Sequence, residues 1–454
     1  MNIKNYKILK NSTILSLPGL FSIFLSLISI PIHLNIAGTE SYGNYIIFHF
    51  ILVLSIIFNF GIGKSIAVSI NNYPKKNKEI SYQGIKYTCF ISGILITVFY
   101  LFSSVSEFLF ISNLLPSSYL NFIAYGFAIS IIYSSLEGIF QGNHKFKSLS
   151  FYNFIFYSLS ISLPSISLLY FENYSLKNLI IFSLVIKSLS IVIMLMAITN
   201  NNLITKSNNK ILLLNLKNNS KWLTLSSLLI HFYDLFDKYL VKIFLGPIAI
   251  ATYSIPQQLT GKLSIFSKGF SAFLLPNLSK KKGDAHNFNF TIKIFLKLIP
   301  FLILLLFPFF DIFLNFWLKN NYNETILILT KIFSICSIFS CISHLLITKF
   351  EASKTLYRNL KVEFFLMPLF LTLLYFLTSN SFSLVQISIL ILLKEWILLI
   401  LRLFLLRKDI KNLKNYYIYS LLLLIGLYLS ISFEQLFFIF VMLLTLSFFL
   451  KNDF

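Results

Sequence analysis

The sequence predicts an all-α, polytopic membrane protein from its composition, the length of its apolar segments and the placement of its charges. Of its 454 residues, 57% are hydrophobic and only 12% are charged, and the mean hydropathy is +0.79. Soluble domains are about a quarter charged and under half apolar. The chain therefore lacks the polar surface that a soluble enzyme of this size requires.

Apolar segments that reach the roughly 20 residues of a bilayer-crossing helix recur along the chain. Membrane-barrel strands would instead alternate apolar and polar residues, so helices are expected. We predict about 14 transmembrane helices, of which the last two are short. The predicted spans are 13–35, 44–69, 87–111, 119–141, 151–170, 178–198, 222–245, 249–276, 294–317, 325–348, 363–378, 383–405, 416–432 and 435–450.

The basic residues alternate with the predicted spans. The N-terminus and every second connection carry 27 lysines and arginines, whereas the other connections carry only Lys177 and Lys319. Positive residues concentrate in cytoplasmic loops, so we expect both termini in the cytoplasm of a cell whose plasma membrane holds the protein. The net charge of +22 thus reflects orientation in the membrane, and no nucleic-acid partner is expected.

A weak internal repeat predicts two similar halves. Gly38 is followed seven residues later by Tyr45, and Gly246 is followed seven residues later by Tyr253. Transporters are often built from such repeats. We expect two six-helix bundles around a central cavity, with a further helix pair at the C-terminus. The predicted boundaries are 1–215, 216–410 and 411–454.

Ionisable residues inside the predicted spans are the candidate site. A charge near the bilayer centre costs about 2.5–3.5 kcal/mol on insertion scales, so it normally faces a partner or a water-filled cavity. Asp234, Asp237 and Lys238 share one face of the seventh span, because their spacings are three and four. They form either a self-neutralising Asp234–Lys238 pair or the lining of a transport cavity.

Several lysines add to this set. Lys187 lies centrally in the sixth span, and Lys262 lies in the eighth with Gln258 one turn earlier on the same face. Lys64 lies nearer the cytoplasmic side, where snorkelling to the interface is the alternative. Lysines in a cavity would attract an anion such as a phosphate. The adjacent residues Lys394 and Glu395 are expected to point about 100° apart on their helix.

Three stretches of the sequence carry recognisable motifs. Residues 38–45 read GTESYGNY, residues 141–146 read QGNHKF, and the segments YDLFDKY, FLG, ATYSIP and LPNLS lie between residues 233 and 279. These stretches resemble, in this order, the G-x-E-x-Y-G-x-Y turn, the end of the fourth helix, and the seventh and eighth helices of the bacterial polysaccharide transporter family. The resemblance is to the O-antigen (Wzx-type) flippases of the MATE-like superfamily in particular.

The resemblance implies a flippase that moves undecaprenyl-pyrophosphate-linked oligosaccharide units from the cytoplasmic to the periplasmic leaflet of the bacterial inner membrane by alternating access. The units would supply O-antigen of lipopolysaccharide or another surface polysaccharide. Members are thought to use cationic cavity residues and an ion gradient, here of H⁺ or Na⁺, and no cofactor. Implied partners are the lipid-linked oligosaccharide, membrane lipids, a polysaccharide polymerase and a chain-length regulator. The residues carried over are Asp234, Asp237, Lys238 and Lys262.

Two other functions remain open at the sequence level. A multidrug or metabolite antiporter of the same superfamily would need a cavity dominated by carboxylates, whereas lysines prevail here. A polytopic polysaccharide polymerase would be an enzyme with catalytic residues in a large periplasmic loop, whereas the outward connections here are short. We therefore expect no enzymatic activity and no catalytic residues. The three cysteines lie within apolar segments, so no metal site is predicted.

Overall fold

The computed structural model contains helices, turns and connecting segments, with no β-strand in the portion of the chain that it describes. The described residues are 3–53, 55–59, 61–103, 119–170, 175–206, 210–278, 306–353, 355–380 and 382–407, with isolated positions between 288 and 303. Eight helices among them are long and apolar enough to cross a membrane. The predicted all-α membrane architecture is confirmed.

The N-terminal half, residues 3–206, begins with a long kinked helix and continues with shorter ones. Its helices are α1 (Ile3–Val53), α2 (Ser55–Phe58), α3 (Ile62–Asn72), α4 (Asn77–Ser103), α5 (Leu120–Gly142), α6 (Phe146–Asn153), α7 (Ser160–Ser167) and α8 (Leu176–Asn200). A π-helical turn, Phe154–Leu159, joins α6 to α7. The predicted spans of this half fall on these helices, except that the end of span 87–111 lies outside the described residues.

The C-terminal half, residues 210–407, is also helical where the structure describes it. Its helices are α9 (Lys210–Gly261), α10 (Ser264–Leu278), α11 (Phe310–Leu318), α12 (Glu324–Ala352), α13 (Leu356–Ser379) and α14 (Leu384–Leu405). The predicted spans 416–432 and 435–450, and the predicted unit 411–454, lie outside the described residues. The boundary near residue 215 stays a prediction.

The two repeat glycines occupy the same backbone conformation. Gly38 has φ 83° and ψ 167° inside α1, and Gly246 has φ 87° and ψ 177° inside α9. Only glycine adopts this region readily, so at these positions the chain ends one span and starts the next without a loop. The tyrosine seven residues beyond each glycine is buried in both halves. The structural correspondence that the sequence predicts is confirmed.

The second span of each half is interrupted partway through. In the N-terminal half the helix stops at Phe58 and restarts at Ile62, with Gly61 left-handed at φ 59° and its N–H donating to Asn59 Oδ1 at 2.8 Å. In the C-terminal half, Lys262 and Leu263 form a turn between α9 and α10. Corresponding interruptions in two repeats are the best pointer to a transporter's binding site.

The interrupted spans lie where the two halves meet. Helix α1 packs along α9 and α10, and α2 and α3 also pack against α9. Irregular backbone at membrane depth is tolerated where it is buried in protein or lines a cavity, because lipid cannot satisfy its polar groups. The fold thus concentrates the irregular backbone of both halves at one interface.

Replacing Gly246 by alanine should destabilise the protein, because a Cβ is disfavoured at φ 87°. The cost expected for such a backbone conformation is about 1–3 kcal/mol, which predicts a lower apparent melting temperature in detergent. Gly93→Ala is the matched control, since Gly93 lies in α4 with nothing within 4 Å of an added Cβ. Equal melting temperatures for the two variants would contradict the assigned turn.

Candidate functional site

Lys262 occupies the interruption between α9 and α10 and reaches across to the other half. Its Nζ donates a hydrogen bond to Ser22 Oγ of α1 at 2.6 Å. Gln258, one turn earlier, lies beside Tyr42 of the second arm of α1. Among the described residues no carboxylate is paired with the Lys262 ammonium. A hydroxyl alone therefore solvates this charge at the interface.

Asp237 and Lys238 form a buried, largely neutralised network. Asp237 Oδ1 accepts from the Lys238 backbone N–H at 2.7 Å and lies 3.3 Å from Lys238 Nζ. Asp237 Oδ2 accepts the Tyr253 hydroxyl at 2.7 Å. The Lys238 ammonium also lies 4.3 Å from the ring centroid of Phe50 in the other half, a cation–π contact. The network therefore connects Phe50, at the interface between the halves, to Tyr253, the tyrosine that follows Gly246 in the repeat.

Lys187 is buried in the N-terminal half next to an aromatic ring. Its Nζ lies 4.9 Å from the ring centroid of Phe156, in the π-helical turn. Across the described part of the chain, no acidic side chain forms an ion pair or hydrogen bond with it. A buried ammonium without a counter-charge is costly in free energy.

His49 lies close enough to Lys187 for the two side chains to interact electrostatically. Both of its ring nitrogens are buried without a hydrogen-bond partner among the described residues. Its ring packs edge-on against Tyr45 at 4.6 Å between centroids. Buried polar groups are normally hydrogen-bonded, so the two nitrogens add unmet capacity beside Lys187.

A second histidine completes this polar interior. His33 of α1 is fully buried, with Nδ1 2.9 Å from Ser165 Oγ and Nε2 3.4 Å from Ser41 Oγ. Its ring lies 5.3 Å from that of Tyr45. We call Lys187, His49, His33 and Tyr45 the basic pocket residues. Every ionisable side chain in this set is a base or a phenol.

Two further buried basic residues of the C-terminal half are paired with acids. Arg402 donates to Glu363 Oε1 at 2.5 Å and to Asn359 Oδ1 at 3.0 Å. Lys394 Nζ lies 3.1 Å from Glu395 Oε1. The expectation that these two neighbours point apart is wrong at the level of their charged ends, because long side chains can swing together. These charges neutralise each other within the fold.

The halves contact each other at both ends. At the end predicted to be cytoplasmic, Lys64 of α3 pairs with Glu351 of α12 at 2.5 Å, where the Lys64 side chain is 45% exposed and that of Glu351 4%. At the opposite end, Asn321 Nδ2 donates to Asn35 Oδ1 at 3.1 Å. Further in from that end, Trp317 Nε1 donates to the Leu27 carbonyl at 2.6 Å.

The sequence of this chain matches a known protein family. The sequence profile of the family described as "Polysaccharide biosynthesis protein" matches residues 8–282, more than half of the chain. The chain belongs to that family. No curated protein matches this polysaccharide biosynthesis family member in sequence.

Solved transporter structures share the fold of this family member. An outward-facing multidrug resistance MATE family transporter of the MOP superfamily has a TM-score of 0.66 at 14% identity, covering 90% of this chain and 97% of its own. A Vibrio cholerae MATE transporter variant gives 0.66 at 14% identity, covering 91% and 99%. A Pyrococcus furiosus MOP superfamily transporter, whose reversed binding-pocket polarity suggests a different function, gives 0.68 at 13% identity, covering 90% and 97%. The family member therefore has a MATE-like transporter fold.

The residues predicted from sequence fall into three groups in this family member. Lys238, Lys262 and Gln258 meet the other half at the interrupted spans, and Asp237 joins Lys238. Lys187 lies in the basic pocket, and Lys64 is an end contact rather than part of either cluster. The side chain of Asp234 lies outside the described residues.

Sequence reasoning missed His33, His49 and Phe156. The histidines carried a usable signal, because an ionisable residue deep within an apolar span is a functional candidate by default. Phe156 carried none, since the chain has 51 phenylalanines. No group of three or more His, Cys, Asp or Glu in the described part of the chain is arranged to hold a metal ion.

Reversing the charge of Lys64 should loosen the end contact with Glu351, because two carboxylates would then face each other. We expect a cysteine placed at Gln141, whose amide now donates to the Ala272 carbonyl of the other half, to react several-fold faster with a water-soluble maleimide. The double exchange Lys64→Glu with Glu351→Lys should return the rate towards that of the parent. Fast labelling in the double variant would show that the pair does not hold the halves together.

Proposed function

We propose that this chain is a flippase for lipid-linked oligosaccharides that carry a pyrophosphate, such as undecaprenyl-pyrophosphate-linked repeat units of O-antigen or a related surface polysaccharide. The family match, the apolar helices and the MATE-like fold support a multi-span membrane transporter. The observation that carries the finer proposal is a mismatch of buried charges. In the C-terminal half Asp237, Glu363 and Glu395 each lie beside a basic side chain. Lys187 of the N-terminal half and Lys262 of the C-terminal half, by contrast, have no acidic partner among the described residues.

An anionic headgroup would supply the charge that the two lysines lack. Lysine binds phosphate as a point charge, and exclusion of water strengthens the attraction. Lys262 lies at an interrupted span between the halves, and Lys187 lies deeper in the N-terminal half. The pyrophosphate would meet these lysines, and the sugars would meet the hydroxyl and amide groups of the interface.

Transport by this route requires the two halves to separate at one end at a time. The contacts of Lys64 with Glu351 and of Asn321 with Asn35 lie at opposite ends. Both involve hydrogen bonds between the halves that can be exchanged for water. We propose that one end opens to the cytoplasmic leaflet of a bacterial inner membrane and the other to the periplasmic leaflet, with both termini cytoplasmic.

We place the coupling ion, H⁺ or Na⁺, at Asp237. Its Oδ1 is shared with the Lys238 ammonium at 3.3 Å, so a bound cation would compete with that ammonium for the same oxygen. Lys238 would then be released towards the interface, where it already contacts Phe50. Ion binding would thereby make the interface more positive and favour the anionic substrate. A polysaccharide polymerase and a chain-length regulator would act on the product.

A cation antiporter of the same superfamily is the second candidate, and the likeness to multidrug resistance MATE transporters favours it. Such a transporter needs a carboxylate free to meet the cation. The reversed polarity attributed to the Pyrococcus furiosus transporter shows that this fold is associated with more than one pocket charge. The basic interior of this chain supports the anionic substrate.

Removing either unpaired lysine should impair export. We expect Lys187→Gln and Lys262→Gln to lower the surface polysaccharide made by a deletion strain by about tenfold, the effect of losing about 1.4 kcal/mol of a charged contact. Lys187→Arg should retain part of the activity. Lys177→Gln is the matched control, because Lys177 is exposed on the same helix, α8.

The test compares surface polysaccharide on gels and lipid-linked units inside the cell, at equal protein abundance in the membrane. Full-length units that accumulate facing the cytoplasm support the flippase. Export at the parental level by both glutamine variants would contradict the assignment of the anion contacts. Units that reach the periplasm without being polymerised would indicate a polymerase, and an unchanged glycan with altered drug sensitivity would indicate the antiporter.

A further inference from the structure

The ring of Phe156 is fixed in place by its neighbours. It is 2% exposed and stacks on Tyr133, with ring centroids 3.6 Å apart and an interplanar angle of 13°. The Tyr133 hydroxyl donates to Asn153 Oδ1 at 2.5 Å, which ties the stack to the end of α6. Because Tyr133 covers one face of the Phe156 ring, the other face is the one available to a cation.

The Lys187 ammonium lies at that ring, 4.9 Å from its centroid. The face of an aromatic ring carries partial negative charge and attracts a cation most strongly where water is excluded. Lys187 itself is 6% exposed, and no acidic partner is found for it in the described residues. Among the described residues, the Phe156 ring is thus the favourable electrostatic contact seen for this buried ammonium.

The local backbone sets the position of the ring. Phe156 belongs to the π-helical turn Phe154–Leu159, which accommodates one more residue per turn than a regular helix would. One residue corresponds to a rotation of about 100° around a helix. Without the π turn, the side chains that follow it would be rotated by about 100° relative to the side chains that precede it. Such turns are frequent at functional sites.

We propose that Phe156 is a positioning residue, whose ring face holds the Lys187 ammonium in place to receive the anionic headgroup of the substrate. The proposal rests on the anion contact that the proposed function gives to Lys187. A phosphate oxygen would approach the ammonium from the side away from the ring, so ring and anion would stabilise the same charge together. Phe156 touches the lysine and not the substrate.

The test is a series of fluorinated phenylalanines introduced at position 156, which keeps the shape of the ring while removing the negative charge of its face. The probe is farnesyl pyrophosphate, titrated against the purified full-length protein in detergent. We expect affinity to fall stepwise with each added fluorine, by about fivefold at three fluorines, a magnitude typical of a cation–π contact. Phe156→Leu should weaken binding at least as much.

The matched control is the same series at Phe127, a buried phenylalanine of the same half whose ring packs against Phe58 and Phe99. Affinity should stay constant across that series. A flat series at Phe156, with weaker binding in Lys187→Gln, would overturn the positioning role alone. Unchanged binding in Lys187→Gln would overturn the anion contact of the proposed function, and the positioning role with it.

Discussion

The high cost of an unpaired charge in a hydrocarbon environment is the constraint on which the rest of this structure depends. The buried pair of Glu363 and Arg402 meets it within the fold. Lys187 meets it incompletely, because it has a ring and a neighbouring histidine where an acid would be expected. Under the proposed function, an anion from outside the chain would supply the stabilisation that this lysine lacks.

The interrupted spans place the other unpaired lysine where movement can occur. Lys262 lies in the turn between α9 and α10 and bonds to Ser22 across the interface. Its charge is therefore attached to one half and solvated by the other. Relative motion of the halves would change that solvation, which couples the conformation of the protein to the affinity for an anion. The corresponding span of the N-terminal half is interrupted between α2 and α3, on the other side of the same interface.

Much of the fold could be predicted from the sequence, because span length, basic loops and the two glycines each report a physical requirement of the bilayer or the backbone. Gly38 and Gly246 are the clearest case, since their shared conformation follows from a weak sequence repeat. Less of the candidate site could be predicted from the sequence. Helical spacing placed Asp237 and Lys238 on one span, but the partner residue Phe50 is remote in sequence. Contacts of this kind depend on how the two halves pack together, and local sequence patterns do not show that packing.

The π turn illustrates the same limit at shorter range. Residues 154–159 read as an ordinary apolar helix, yet the backbone there adopts the wider turn that carries Phe156 to Lys187. Within this turn the Phe156 ring stacks on Tyr133, a residue more than 20 positions away in sequence. The same reasoning explains Lys394 and Glu395, whose ion pair arises from flexible side chains and not from helical phase.

The proposed function requires this chain to carry an anionic lipid-linked substrate and not a cation. The decisive experiment is reconstitution of the purified protein into liposomes that hold a fluorescent lipid-pyrophosphate-linked oligosaccharide, with ethidium uptake measured in parallel under the same ion gradients. We expect the protein to expose the inner-leaflet lipid to a membrane-impermeant quencher while ethidium stays outside. Gradient-driven ethidium uptake without movement of the lipid would contradict the proposed function.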